Sequence, residues 1–313
     1  MTKKALFVLL IAGGLLADGL AQYRTVRRPG TDVHYRITGA GTPLLILGGG
    51  PGDNADRYLS LCELLSGSYQ CILVDQRGTG RSLPAVLGAA TISVELTLDD
   101  FEAIRRELGI EAWAVLGFSY GGYLASLYAD RYPGSISRLL LMDSMGLNTD
   151  VFAYFVDNIT SRLNAADLEL FAYWNDPARD AQDPHHALVE RIRARMPGYF
   201  FDRKKSLIVS QAMKDSDFNF AMGQWIWEDV QKRDLDLAKR GSRFDKPVLV
   251  LQGRQDPLGE SVPQALSRYY KNSRLVFIEK CGHYSWIEQP EKVLASIREF
   301  LAPVPAKNQR GKV

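Results

Sequence analysis

Residues 112–133 read AWAVLGFSYGGYLASLYADRYP, and the fold turns on this stretch. Ala112 to Leu116 is a compact apolar run of strand length. Gly117-Phe118-Ser119-Tyr120-Gly121 follows at once, and a helical pattern then runs from Ser119 to Tyr132, where Pro133 stops it. Small residues recur inside that helix, at Gly122, Ala125, Ser126 and Ala129. A strand, a tight turn and a helix place Ser119 at the apex of a sharp reversal, where its neighbours must lack bulk. The helix beginning there also directs free N–H groups and a positive dipole end toward the serine. G-x-S-x-G alone is a common string, but between a buried strand and a small-residue helix it predicts a nucleophile.

The chain on either side keeps the same rhythm. Val33 to Thr38 alternates and reads as an edge strand. Pro43 to Leu47 is a buried strand ending in Gly48-Gly49-Gly50-Pro51-Gly52. Asp56 to Leu65 has helical periodicity, Gln70 to Val74 is the next strand, and Leu98 to Leu108 is an amphipathic helix closed by Gly109. Ile136 to Met142 is another strand. From Ser144 to about Arg243 the strands stop, and helical patterns rich in aromatics and charges replace them. Strand Val248 to Leu251, helix Ser261 to Tyr270, strand Leu275 to Ile278 and helix Pro290 to Leu301 then resume the alternation. Such alternation predicts an α/β fold, a mostly parallel sheet with helices on both faces. The helical stretch, residues 144–243, reads as a cap inserted after the sixth strand, splitting a core made of residues 22–143 and 244–303.

The remaining segments are terminal. Lys3 and Lys4 precede an apolar or glycine run from Ala5 to Leu16, and Gly19 and Ala21 supply small residues before Gln22. The run is shorter than the roughly 20 residues a membrane span needs. Residues 1–21 therefore read as a cleaved signal peptide and the protein as exported, secreted or periplasmic, with no stable membrane span afterwards. Residues 304–313, with several cations, read as a disordered tail. Of 313 residues 46% are hydrophobic, ample for a large core, and a net charge of +2 is too mild for a nucleic-acid footprint. The three cysteines, Cys62, Cys71 and Cys281, show neither CxxC nor metal-ligand spacing and read as buried structural thiols. No metal or other cofactor is expected, and no signal for an oligomeric state is present.

A serine hydroxyl needs a base, and the chain has four histidines. His34 lies in an early strand, and His185 and His186 lie in the helical stretch. His283 follows the last strand in Cys281-Gly282-His283, which agrees with the chain order Ser…Asp…His. The acid should end the preceding strand, and Leu251-Gln252-Gly253-Arg254-Gln255-Asp256 runs from a strand through a glycine turn to Asp256. Its task would be to orient the imidazole. Asp143, after the strand ending at Met142, is the rival acid. Two N–H donors are needed for an oxyanion. Tyr120, next to the nucleophile, should give one, and the glycine run after Leu47 the other, from Gly50 or else Gly49.

Taken together, Gly-Gly-Gly-Pro-Gly (48–52), Asp-Gln-Arg-Gly-Thr-Gly-Arg-Ser (75–82), Gly-Phe-Ser-Tyr-Gly-Gly (117–122), Gly-Arg-Gln-Asp (253–256) and Gly-His (282–283) resemble the proline iminopeptidase family of α/β-hydrolases. The resemblance spans about Val33 to Leu301. It implies the α/β-hydrolase fold and release of an N-terminal residue, often proline, from short peptides or amides. Asp75 and Arg77 are expected to pair with each other and brace the glycine loop. Two positions depart from the family's pattern. Gly48 stands where its glycine loop usually begins with His, and no carboxylate directly precedes Tyr199-Phe200. Trp227-Glu228 resembles the family's Trp-Glu pair but lies later in the helical stretch than that pair usually does. The resemblance offers Glu228, with Trp227 beside it, as a partner for the substrate's α-ammonium, and a solvated helix face is the equal alternative. The alternatives are a carboxylesterase acting on small esters and a non-catalytic binding protein on the same scaffold.

Overall fold

A computed structural model describes residues 22–303; the segments read as a signal peptide and as a disordered tail lie outside the described residues. Eight strands form one sheet: β1 (Gln22–Arg28), β2 (Thr31–Thr38), β3 (Thr42–Leu47), β4 (Tyr69–Val74), β5 (Trp113–Phe118), β6 (Ile136–Met142), β7 (Val248–Gly253) and β8 (Ser273–Ile278). Their order is β1-β2-β4-β3-β5-β6-β7-β8. The β1–β2 and β2–β4 pairs are antiparallel, and every pair from β4 across to β8 is parallel. The sheet is mostly parallel, as the alternation of strands and helices implies, and its parallel strands end on one side, where the functional loops gather.

The central strands read as continuous apolar runs because helices cover both faces. One face carries helices Leu59–Ser66 and Pro290–Leu301, packed on Leu44, Ile46, Leu116, Leu140 and Leu249. The other carries helices Val94–Glu107, Tyr120–Arg131 and Ser261–Tyr269, packed on Leu45, Val115, Leu139 and Val250. The first of these three starts earlier than its apolar periodicity indicates. Ser93 caps it, its hydroxyl accepting from the Leu96 N–H at 3.2 Å, while Gly109 takes the positive φ (65°) expected just beyond its end.

The expectation that Val33 to Thr38 forms the edge strand is corrected. β1 lies outside it, running antiparallel from Gln22↔Ile37 to Arg28↔Thr31. Its sequence, QYRTVRR, has almost no apolar signal, since an outermost strand is held by backbone pairing and its cations discourage further pairing.

Between β6 and β7 the described elements are all helical, from Asp150–Ala153 to Leu237–Lys239. They build a small core of their own around Val189, Met196, Phe200, Met213 and Phe218. Backbone bonds tie this layer to the glycine loop: Asn54 donates to the Asp217 carbonyl at 2.9 Å and Asn219 to the Gly52 carbonyl at 2.8 Å. Among the described residues, no helix is long and apolar enough to cross a membrane.

Candidate active site

Ser119 sits between β5 and the helix Tyr120–Arg131 with φ 55° and ψ −121°, a left-handed conformation that a non-glycine residue adopts only when its surroundings impose it. Those surroundings follow from the motif. A methyl at Gly117 would lie 2.2 Å from the Gly121 carbonyl oxygen, one at Gly121 would lie 2.2 Å from that of Leu47, and one at Gly122 2.4 Å from the Ser144 hydroxyl. Strand, helix and glycine loop can approach this closely only without side chains, and their approach holds the serine hydroxyl outward.

Ser119 Oγ lies 3.0 Å from His283 Nε2, and His283 Nδ1 lies 2.9 Å from Asp256 Oδ2. The other Asp256 oxygen accepts from the Leu258 N–H at 2.8 Å, which fixes the carboxylate plane. Burial by itself would push the His283 pKa down. The carboxylate of Asp256, its hydrogen bond and the more distant Asp143 outweigh that and hold it above 6.5. The structure therefore gathers Ser119, His283 and Asp256. The other histidines lie elsewhere: His34 meets Thr25 in the β1–β2 pair, and His185 and His186 meet Asp215 in the helical layer.

Asp143, the rival acid, touches neither nitrogen of the imidazole. Its oxygens accept from the N–H groups of Gly253 (2.9 Å) and Ser285 (3.3 Å). It thus joins the end of the strand leading to Asp256 to the turn just beyond His283. It is fully buried, and burial, followed by repulsion from Asp256, pushes its pKa well above the usual carboxylate range.

Gly49, Gly50 and Tyr120 all line the cavity over Ser119. Gly50 has φ 99°, a conformation suited to glycine. Among the described residues no intramolecular acceptor is found for the N–H of Gly50 or of Tyr120, so both remain free to bind an oxyanion. The departure at Gly48 has a steric origin. A methyl there would fall 2.2 Å from a Tyr58 ring carbon, so the tyrosine fills the space a side chain would need.

The cavity measures about 180 Å³ and is largely aromatic and aliphatic, with Phe118, Phe152, Phe155, Leu258 and Trp227 in its wall. Trp227 packs its ring against Tyr120 (5.4 Å between centroids) and Phe152 (5.1 Å). Glu228 is not beside it. Its side chain is exposed, takes a 2.9 Å hydrogen bond from Gln224 on the same helix and forms no part of the cavity wall. Adjacent helical residues point about 100° apart, so a tryptophan facing inward sends the next residue out.

The expected Asp75–Arg77 pair does not form. Arg77 is wholly buried and makes a two-pronged bond to Asp100, at 2.8 and 2.6 Å. Asp75 instead accepts from the N–H groups of Ala55 (3.2 Å) and Arg81 (3.1 Å), bracing the segment after the glycine loop from below. Residues two apart around a turn face different elements, and the helix Val94–Glu107 offers Arg77 a carboxylate at the right height.

Because its partners lie in the histidine loop and the helical layer, no local sequence signal marks Glu288. It is buried, and it accepts from the N–H groups of Gly282 (2.5 Å), Asp202 (2.7 Å) and Phe201 (3.3 Å), clamping the histidine loop to the helical layer. The Tyr199 carbonyl adds a 2.7 Å bond from the His283 N–H. The three cysteines are free and buried; burial pushes the Cys71 thiol up to about 12 and the other two further still, so none is a ready nucleophile.

A family model described as alpha/beta hydrolase fold matches residues 42–290. A probable proline iminopeptidase of Streptomyces coelicolor is 28% identical, over 87% of this chain and 92% of its own. A 2-hydroxy-6-oxononadienedioate/2-hydroxy-6-oxononatrienedioate hydrolase of Paraburkholderia phymatum is 26% identical, over 90% and 95%. Among solved structures, a thermophilic esterase from Thermogutta terrifontis superposes with a TM-score of 0.67 at 23% identity, covering 90% of this chain and 98% of that one, a likeness of fold.

Proposed function

The chain belongs to the α/β-hydrolase fold family, and we propose that it uses Ser119 to release the N-terminal residue of short peptides or amides, in the manner of a proline iminopeptidase. His283 Nε2 takes the Ser119 proton as Oγ attacks the scissile carbonyl carbon. Asp256 holds the imidazole with its Nδ1 proton facing the carboxylate and stabilises the imidazolium that forms. The N–H groups of Gly50 and Tyr120 receive the oxyanion, with Gly49 shaping the approach. His283 then delivers its proton to the departing amine, leaving an acyl ester on Ser119. Water, deprotonated by the same imidazole, hydrolyses that ester and frees both serine and acid.

The observation carrying this reading is the unbroken line from Ser119 Oγ through His283 to Asp256, at 3.0 and 2.9 Å, in the wall of a 180 Å³ cavity. Such a space suits one small acyl unit better than an extended chain passing through. The exposure of Glu228 favours a second reading, a carboxylesterase of small neutral esters, because the carboxylate expected to hold an amine is not in the wall. Parallel hydrolysis of a prolyl anilide, an alanyl anilide and a short-chain aryl ester tests both. Anilide turnover supports the aminopeptidase, ester-only turnover the esterase, and no turnover on a broader panel of amides and esters would revive the binding reading. Export is part of the proposal, and a mature protein beginning at Gln22 in the extracellular or periplasmic fraction is its expected signature.

A further inference from the structure

The cavity wall holds an ion cluster that the hydrolytic steps do not use. Asp53, just past the glycine loop, lines the cavity together with Arg57 and Tyr58. Asp53 Oδ2 accepts from Arg57 Nε at 3.0 Å and from the Tyr58 hydroxyl at 2.8 Å. Its Oδ1 receives no hydrogen bond from any described residue. Asp217 Oδ2 lies 3.9 Å from the same guanidinium, which stacks over the Phe218 ring at 4.5 Å. Two carboxylates around one guanidinium leave one negative charge in surplus, with Asp53 in a wall otherwise mostly apolar and Asp217 behind it.

The cluster is also close to the nucleophile. A methyl at Gly49 would lie 3.0 Å from the Tyr58 hydroxyl and 3.3 Å from Ser119 Cβ, and one at Gly50 would lie 3.4 Å from Asp53 Cβ. The same two glycines therefore separate Ser119 on one side from Tyr58 and Asp53 on the other.

We propose that Asp53 is the specificity-determining carboxylate of this site, its free Oδ1 accepting a hydrogen bond from a protonated amine on the carbon beside the scissile carbonyl. The ligand class is a small acyl compound with a cationic amine next to its carbonyl. The proposal rests on the hydrolase reading, since that reading places the carbonyl at Ser119. A neutral acyl group would offer Oδ1 no donor. An anionic one would meet the surplus negative charge, because Arg57 is already matched by Asp53 and Asp217. A cation satisfies both the open lone pairs and the charge.

A matched pair of aryl esters tests this, prolyl and cyclopentanecarboxyl, with the same leaving group and ring size and differing only in an ammonium for a methylene. The parent protein should favour the prolyl ester in kcat/KM, and Asp53→Asn should lower that preference by about tenfold or more, the scale for breaking a partly buried charge pair. Equal losses on both esters would overturn the proposal, making Asp53 a structural brace of Arg57 and Tyr58. A parent preference for a hemisuccinyl aryl ester would also overturn it, in favour of Arg57 as an anion site. Because Asp53→Asn can fail to fold, binding of prolinamide and cyclopentanecarboxamide to Ser119→Ala is measured by calorimetry with Asp53 intact. Prolinamide should bind about tenfold tighter or more, and equal affinity would overturn the proposal. Tight prolinamide binding by a parent that cleaves neither ester would uphold the amine site while sinking the hydrolase reading, so the two failures are distinguishable.

Discussion

Replacing Asp256 by Asn tests the assignment of the acid most directly, because the change is isosteric and its effect follows from the hydrogen bonds. Asp256 Oδ1 accepts from the Leu258 N–H at 2.8 Å, and Oδ2 meets His283 Nδ1 at 2.9 Å. The carboxamide keeps both positions, with its oxygen toward Leu258 and its NH₂ toward the imidazole. An NH₂ requires an acceptor, so Nδ1 gives up its hydrogen and the ring proton moves to Nε2. At 3.0 Å from Ser119 Oγ, that nitrogen is then a donor and cannot take the serine proton. The expected loss in kcat is up to about 10⁴-fold, as for the same change in a serine-protease triad, or about 5 kcal/mol of barrier. Thermal stability should barely move. The pH profile provides an independent check. Asp256 is one of the groups holding the His283 pKa above 6.5, so the acid limb of kcat/KM should shift to lower pH in the variant. Steady-state kinetics on an aryl ester, with melting curves for both variants, decides the matter. A mild effect from Asp256→Asn beside a severe one from Asp143→Asn, with both proteins folded, would refute the reasoning.

Other expectations follow from the same geometry. Ser119→Ala should abolish covalent labelling by an organophosphonate and lower kcat by about 10⁴-fold or more; His283→Ala should be nearly as damaging, whereas alanine at His34, His185 or His186 should leave most activity. Gly121→Ala, whose methyl would meet the Leu47 carbonyl at 2.2 Å, should cost at least about 1–3 kcal/mol in chemical denaturation or yield no soluble protein. Burial raises the Asp143 pKa above its unfolded value of 3.8, so the folded form holds this proton to higher pH and its contribution to stability should fall as pH rises above about 3.8. Asp143→Asn should flatten that slope in urea titrations at several pH values. Glu228→Gln should change stability by less than about 0.5 kcal/mol and leave turnover near that of the parent, as for an exposed side chain outside the cavity wall; a large loss on free-amine substrates would return Glu228 to the site.

How much of this was legible beforehand depended on whether the cause was local. The sharp turn at Ser119 was readable because the steric demand falls on its immediate neighbours: Gly117, Gly121 and Gly122 each lack room for a methyl. Asp256 and His283 were readable from chain order, since parallel strands deliver their following loops to one edge. The alternation of apolar runs and helical periods located most of the sheet. β1 escaped because an edge strand needs only backbone pairing, and QYRTVRR offers little apolar pattern.

The charged residues behaved differently. The spacing of Asp75 and Arg77 predicts a pair, and Arg77 meets Asp100 instead. Of the two readings the sequence leaves open for Glu228, substrate anchor or solvated face, the helix takes the second, turning it to solvent while Trp227 faces the cavity. Asp53 stands against Tyr58 and Arg57 beside the glycine loop, and Glu288 clamps the histidine loop to a layer 86 residues away in sequence. The amino-acid sequence by itself determined the fold, the reversal at Ser119 and the order in which the reactive groups arrive, because each rests on sterics or periodicity within a short stretch. Only the tertiary structure decided which charges face one another and which carboxylate borders the cavity, because a long charged side chain reaches several elements and its partner is chosen when those elements pack.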